Sequence, residues 1–373
     1  MNASQIAKVT HPTLRGVLPR KRLFTLLDRM RKRPIIWVSG PAGCGKTTLV
    51  KSYLDARSLP FMWFQIDQND ADPATFFYYL GKAAKKAFRR QKKPLPLFTP
   101  EYSQDLQTFT RRYFEDFFSG LNPSKTGAKG NLARKERGRF VLVFDNYQEV
   151  PDRAPLHEIL LNGLAIIPEK VIVVLISRSQ PPPSFIRLRA NYQMEILGWK
   201  ELRLNLEESE GIIRLRAGQK QAKNTISVLH KASDGWAAGL VLMLESVQRE
   251  VIAPQALGKF TPEEILDYFG NELFDRTDKQ IQEILLKTAF LPKMTVKMAV
   301  ELTDLPQAGQ ILDTLSRNNY FIEKRFRTEP VYQYHLLFRE FLLSRARKEL
   351  SRETQSLLIR RAASTSAMHP RRT

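Results

Sequence analysis

Apolar and polar positions along the chain change period several times, and each change marks an element. Between Arg33 and Leu54 the run RPIIWVSG, the segment PAGCGKTT and the run LVKSYL predict a short apolar strand, a glycine-rich turn and a helix. FMWFQID, ending at Asp67, reads as a second strand, and aromatic and aliphatic residues then recur at helical spacing from Asp72 to Phe88. Proline and lysine between Gln91 and Pro100 mark a break before an amphipathic segment near Leu106 to Leu121. FVLVFD, ending at Asp145, and VIVVLIS, ending at Ser177, are apolar throughout, as parallel strands covered on both faces are, and a helical stretch separates them. Strand alternating with helix predicts an α/β fold with a doubly wound parallel sheet.

After Pro181 to Pro183 helical patterns dominate, over Glu207 to Arg216 and Ala222 to Gln248. Thr261, Pro262, Glu263 and Glu264 then supply an N-cap, a first-turn proline and a capping-box glutamate, which suggests a new domain. Its predicted elements are helices over Asp278 to Thr288, Thr295 to Leu302 and Gln307 to Asn318, strands YFIEK and VYQY, and a closing helix from His335. Three helices with a two-stranded ribbon describe a winged helix. The expected organisation is therefore a nucleotide-binding domain over 1–205, a helical domain over 206–258, a winged-helix domain over 259–350 and a poorly ordered remainder over 351–373. The polar, basic stretch Asn122 to Arg139 reads as a solvated loop, with a nucleic-acid contact as the alternative.

Composition adds constraints. The 373 residues, 43% of them hydrophobic, can bury a sizeable core. Lys and Arg number 59 against 38 Asp and Glu, a net charge of +21, so the surface should attract polyanions such as nucleic acid, nucleotides or acidic membranes. A single cysteine, Cys44, excludes internal disulfides and CxxC metal pairs and fits a reducing compartment, so cytoplasm is the expected location. The N-terminal segment lacks an apolar core of signal-peptide length, and no stretch approaches a membrane span.

The turn at residues 40–47 carries chemistry. GPAGCGKT places Gly40, Pro41, Ala42, Gly43, Cys44, Gly45, Lys46 and Thr47 in the G-x-x-x-x-G-K-[ST] pattern of a P-loop NTPase. Its backbone amides, with Thr48 opening the helix, would cradle phosphates, Lys46 would reach the outer phosphates, and the Thr47 hydroxyl would ligate Mg²⁺. A purine nucleoside triphosphate, ATP with Mg²⁺, is the expected ligand. Cys44 reads as a small filler rather than a nucleophile. Asp145, at the end of an apolar strand, answers the need for a second Mg²⁺-directed carboxylate; an Asp serving the turn is the alternative. Asn146 follows it where a water-orienting acid often stands, and the nearest acid is Glu149, which points to slow hydrolysis. Arg178 follows a strand, at the sheet edge where ligands bind, and reads as a γ-phosphate sensor or a surface arginine. His335, beside Tyr332, Tyr334 and Phe338, reads on its own as a packed or capping residue.

The segments GPAGCGKTTLV, MWFQIDQNDADPATFFYYL, VLVFDNYQEV, ISRSQPPP, SDGWAAGL and VYQYHLLFREFL occur in the order found in MalT-like STAND regulators, signal-transducing ATPases, and the resemblance covers roughly residues 8 to 363. It implies a nucleotide-binding domain, a small helical domain and a winged helix, with ADP holding a closed state and ATP with an inducer opening it to self-associate. It also implies roles for single residues. Lys46 and Thr47 would serve phosphate and metal, Asp145 the Mg²⁺, Arg178 the sensor function, and His335 the ADP β-phosphate. Leu18, Pro19 and Arg20 would line the adenine pocket. The chain has Gly235, Trp236, Ala237 where relatives carry glycine-x-proline, and Trp236 reads as core. The family continues into a helical-repeat sensor and a DNA-binding domain, whereas here LLIRRAA is followed by STSAMHPRRT, so a truncated regulator is expected. Such a chain would be a slow ATP/ADP switch without its own DNA contact or membrane association. The alternatives are a DNA-binding ATPase of the replication-initiator (AAA+) type and an inert gene remnant.

Overall fold

A computed structural model describes residues 7–87, 94–120, 139–217, 222–248, 263–326 and 329–368. The basic stretch 122–138, the capping residues Thr261 and Pro262, the boundary expected near 258–259 and the last five residues lie outside these. The chain divides into two compact units, one of residues 1–40 and 45–202, the other of residues 41–44 and 203–373.

In the first unit the strands are β1 (Ile35–Ser39), β2 (Phe61–Gln65), β3 (Phe140–Asp145), β4 (Val171–Ser177) and β5 (Met194–Leu197). They form one parallel sheet in the order β2-β3-β4-β1-β5. The helices are α1 (Lys21–Met30), α2 (Lys46–Ala56), α3 (Pro73–Ala87), α4 (Leu106–Gly120), α5 (Leu156–Leu164), α6 (Ile186–Ala190) and α7 (Trp199–Leu202). β1, β3 and β4 are buried along their full length, as their unbroken apolar runs require. Strand β5 was not foreseen. It is four residues long and buried only at its two end residues, because it lies at the sheet edge beside β1. One layer of the core is aromatic, with Phe77 of α3 meeting Phe109 and Tyr113 of α4.

A buried ion pair ties the start of the described chain to the β2 end. The Lys8 ammonium lies 2.7 Å from Asp67 and 2.9 Å from Asp70, and Asp70 is fully buried. Burial pushes the Asp70 carboxyl up, against the pull of Lys8. A Lys8→Ala chain should lose about 3–5 kcal/mol of stability at neutral pH, since it strands a buried carboxylate. The remaining Asp70 carboxyl would then bind a proton more tightly folded than unfolded. The deficit should therefore shrink as the pH falls towards 5, which urea denaturation at two pH values would show.

The second unit begins with α8 (Leu206–Ala217), α9 (Lys223–Ser233) and α10 (Ala237–Gln248). The sequence pattern read the last two as one helix, but the backbone turns left-handed at Asp234 (φ 47°) and Gly235 (φ 73°), which ends α9. α11 (Glu263–Phe269) runs into a π-helical turn at Gly270–Phe274. The winged helix follows as α12 (Lys279–Thr288), β6 (Met294–Thr295), α13 (Val296–Thr303), α14 (Ala308–Arg317), β7 (Ile322–Phe326), β8 (Pro330–Tyr334) and α15 (Leu336–Glu349). Its sheet has three antiparallel strands rather than two, in the order β6-β8-β7, because the two residues of β6 add to the expected ribbon. The segment expected to be poorly ordered carries the helix α16 (Arg352–Met368) instead, with Leu358 buried. No helix of the described residues is long and apolar enough to cross a membrane.

Candidate functional site

The parallel register sets the site. Ser39, the last residue of β1, pairs with Ser177, the last residue of β4, so Gly40 and Arg178 leave the sheet at the same carboxyl edge. β4 lies between β1 and β3, and Asp145 closes β3 at that edge. Ligands of open α/β sheets bind at such an edge.

In the first unit, Gly45 caps α2 with a left-handed backbone (φ 85°), which turns the chain from the loop into the helix. The buried Lys46 folds back, its Nζ donating to the Gly40 carbonyl at 2.7 Å. Thr47 Oγ1 donates to the Asp145 carboxylate at 3.1 and 3.2 Å, joining two positions 98 residues apart. Asp145 is 3% exposed, and burial pushes its carboxyl up, while bonds from Thr47 and the Asn146 amide and the Lys46 charge pull it down. Lys46, Thr47 and Asp145 thus stand together, as the sequence anticipated. Thr48 is half-buried in the first turn of α2.

Asn146 has a physical reason for its identity. Its backbone is left-handed (φ 62°) and exposed, a conformation that asparagine tolerates better than glutamate. Its N–H donates to Asp145 Oδ1 at 2.9 Å, so it steadies the carboxylate. Gln148, which the sequence reading passed over, accepts from the Arg178 backbone N–H at 3.0 Å and ties the end of β4 to the turn after β3. The Arg178 side chain is half-buried. Arg20 is buried and donates to the Leu202 carbonyl at 2.9 Å, and Leu18 is half-buried.

The second unit holds Pro41, Ala42, Gly43 and Cys44, with Cys44 1% exposed. His335 caps α15, its N–H donating to the Phe321 carbonyl at 2.8 Å. Its ring lies 5.5 Å from the Phe321 ring and 6.4 Å from the Trp236 ring, and Nε2 is 3.4 Å from Asp234 Oδ2. Burial, with Arg203 nearby, pushes its pKa down to about 3, so the ring is neutral at neutral pH. Burial also raises the Asp234 carboxyl, although Arg203 pulls it down from 3.4 Å. Trp236 is fully buried.

Comparison with known proteins follows this geometry. Residues 270–354 match the MalT winged helix domain, and residues 13–178 match the nephrocystin 3 N-terminal family. The HTH-type transcriptional regulator MalT of Yersinia enterocolitica is 25% identical over 356 residues, which is 94% of this chain and 38% of that protein. MalT of Vibrio cholerae is 26% identical over 356 residues with the same coverage. The chain therefore spans 38% of the length of these curated relatives. A solved Walker-type ATPase of Pyrococcus abyssi superposes with a TM-score of 0.60 at 16% identity, covering 89% of this chain and 98% of that one, so the two share a fold. The chain thus has the fold of a Walker-type ATPase, matches the MalT winged helix over residues 270–354, and is similar to MalT regulators over 94% of its length.

Proposed function

We propose that the loop Gly40–Thr47 binds ATP and ADP with Mg²⁺, and that the chain is the slow nucleotide switch of a MalT-type transcription regulator. The observation that carries this is the Thr47 hydroxyl 3.1 Å from the buried Asp145 carboxylate, one helical residue after Lys46. A hydroxyl and a carboxylate are hard oxygen donors, and one or two such ligands beside phosphate oxygens suit Mg²⁺. The donor set therefore fits the ion, with Thr47 and Asp145 as the residues that would hold it. Bound there, Mg²⁺ would offset the charge of the outer phosphates.

The chain's own groups would divide the remaining work. The buried Lys46 ammonium would exchange its Gly40 carbonyl for phosphate oxygens, and the amides from Gly43 to Thr48 would donate to the phosphates. Arg178 would report the γ-phosphate, and His335, kept neutral by burial, would donate one ring N–H to the β-phosphate. Leu18 and Arg20 would flank the adenine. Asn146 offers no base for an attacking water, so hydrolysis would be slow and the bound nucleotide would act as a state label. Self-association in the ATP state and a cytoplasmic location belong to the same proposal.

Purified protein should carry ADP, released on denaturation and identified by chromatography, and should turn over ATP well below 1 min⁻¹, under the roughly 1 s⁻¹ floor of typical enzymes. An empty protein with fast turnover would sink the switch. Tight, salt-dependent duplex binding coupled to nucleotide would favour a DNA-binding ATPase instead.

A further inference from the structure

We propose that Trp236 and Ala238 are positioning residues for the phosphate loop, anchoring two of its carbonyls so that the loop amides are aimed at a di- or triphosphate. The inference rests on the nucleotide reading above and adds residues to that site that the loop motif does not contain.

The indole Nε1 donates to the Ala42 carbonyl at 2.8 Å, and the Ala238 N–H donates to the Gly43 carbonyl at 3.0 Å. A trans peptide holds its C=O and N–H on opposite sides of one plane. Fixing the Ala42 oxygen therefore turns the Gly43 N–H away from the indole, and fixing the Gly43 oxygen does the same for the Cys44 N–H. The Cys44 amide meets the Pro41 carbonyl at 3.4 Å, too long a bond to compete with a phosphate oxygen. Both anchors act on the tip residues 41–44, which are covalently continuous with Gly40 and Gly45.

The packing leaves the indole little freedom. It stacks on Phe269 at 5.1 Å, lies 5.2 Å from Tyr268 and meets the edge of Phe321 at 5.1 Å. A Cβ at Gly239 would run into its six-membered ring, so the glycine lets the indole lie against the α10 backbone. On the loop side, a Cβ at Gly43 would stand 2.7 Å from the Ala238 Cβ, and the Gly43 backbone is left-handed (φ 69°). Close approach thus requires glycine on both partners. A buried indole N–H needs an acceptor, and the acceptor that packing gives this one is a carbonyl of the phosphate loop.

The test is the affinity for ADP and for AMP in the wild type, Trp236→Phe and Lys46→Ala, with unfolding midpoints taken without nucleotide. Phenylalanine keeps the aromatic stack and removes the donor. ADP affinity should fall about tenfold in Trp236→Phe, the effect of leaving one buried carbonyl unpaired, with AMP affinity unchanged. A purely structural tryptophan would lower the midpoint and weaken both nucleotides alike. If the wild type prefers ADP and Lys46→Ala abolishes that preference, but Trp236→Phe keeps the wild-type ADP-to-AMP ratio, the positioning role is overturned while the nucleotide reading stands. A wild type that binds neither nucleotide removes both. Should Trp236→Phe fail to fold, Ala238→Pro serves in its place: position 238 lies in the first turn of α10, where the helix loses no bond, and the proline both removes the second donor and crowds the Gly43 carbonyl, so ADP affinity should fall at least about tenfold with AMP affinity unchanged.

Discussion

A Lys46→Ala chain is expected to bind ADP and ATP about a hundredfold more weakly, since truncating one partner of a buried charge-assisted contact costs 2–5 kcal/mol. Lys46 is 9% exposed and its Nζ is held at 2.7 Å by the Gly40 carbonyl, inside the loop that would receive the phosphates. The ammonium is already largely removed from water there, so an anionic ligand has more to gain than at a surface lysine. Removing that charge should cost the ligand-free fold little. The two effects separate in a thermal melt. Saturating ADP should raise the wild-type midpoint, because a ligand at about a hundred times its Kd adds roughly 2.7 kcal/mol, and should barely move that of Lys46→Ala. Retention of ADP affinity within threefold would overturn the loop assignment.

Acid should destabilise the protein through His335, and a His335→Gln chain should escape that part of the loss. The ring is 3% exposed, and burial, the largest cause, with Arg203 holds its pKa near 3 against 6.5 for an ordinary histidine. Asp234, 3.4 Å away, would favour the charged ring, but it is also drawn to Arg203 at 3.4 Å, so burial prevails. The unfolded chain takes up the proton first. Stability from this group is therefore complete above pH 6.5 and is lost as the pH falls through the window from 6.5 to about 3. The full shift corresponds to a loss on the order of 5 kcal/mol. Urea midpoints measured between pH 7.5 and 4.5 should fall more steeply for the wild type than for His335→Gln, and equal slopes would refute the argument. A phosphate bound at the ring would favour its protonated form, so ADP should flatten the wild-type slope if His335 meets the β-phosphate.

Strands β1, β3 and β4 were legible because each is an apolar run buried along its length, as a sheet covered on both faces requires, and β2 because four of its five residues are apolar or aromatic. β5 was not, because an edge strand of four residues buried only at its two ends leaves almost no periodic signal. The break between α9 and α10 escaped for a similar reason. Hydrophobic spacing runs through it, and only the left-handed backbone at Asp234 and Gly235 interrupts the helix.

Much of the candidate site was local chemistry and could be read along the chain. The glycines, Lys46 and Thr47 lie within eight consecutive positions of the loop, and the apolar strand before Asp145 marked that carboxylate. Asn146 was noted as a missing acid, but its left-handed backbone and its bond to Asp145 needed coordinates.

By itself, then, the sequence determined what depends on neighbours a few residues away: where the long apolar strands and the amphipathic helices lie, where the phosphate-type loop lies, and which carboxylate follows a buried strand. Tertiary structure alone decided the rest. It joined Trp236 to Ala42 across 194 residues, brought the Gln148 side chain to the Arg178 amide, and buried His335 between Trp236 and Phe321. Helix and strand periods arise from backbone geometry repeated within a segment. The direction of a buried N–H and the proton affinity of a buried ring arise from the groups that packing places around them, and those groups lie far away in the chain.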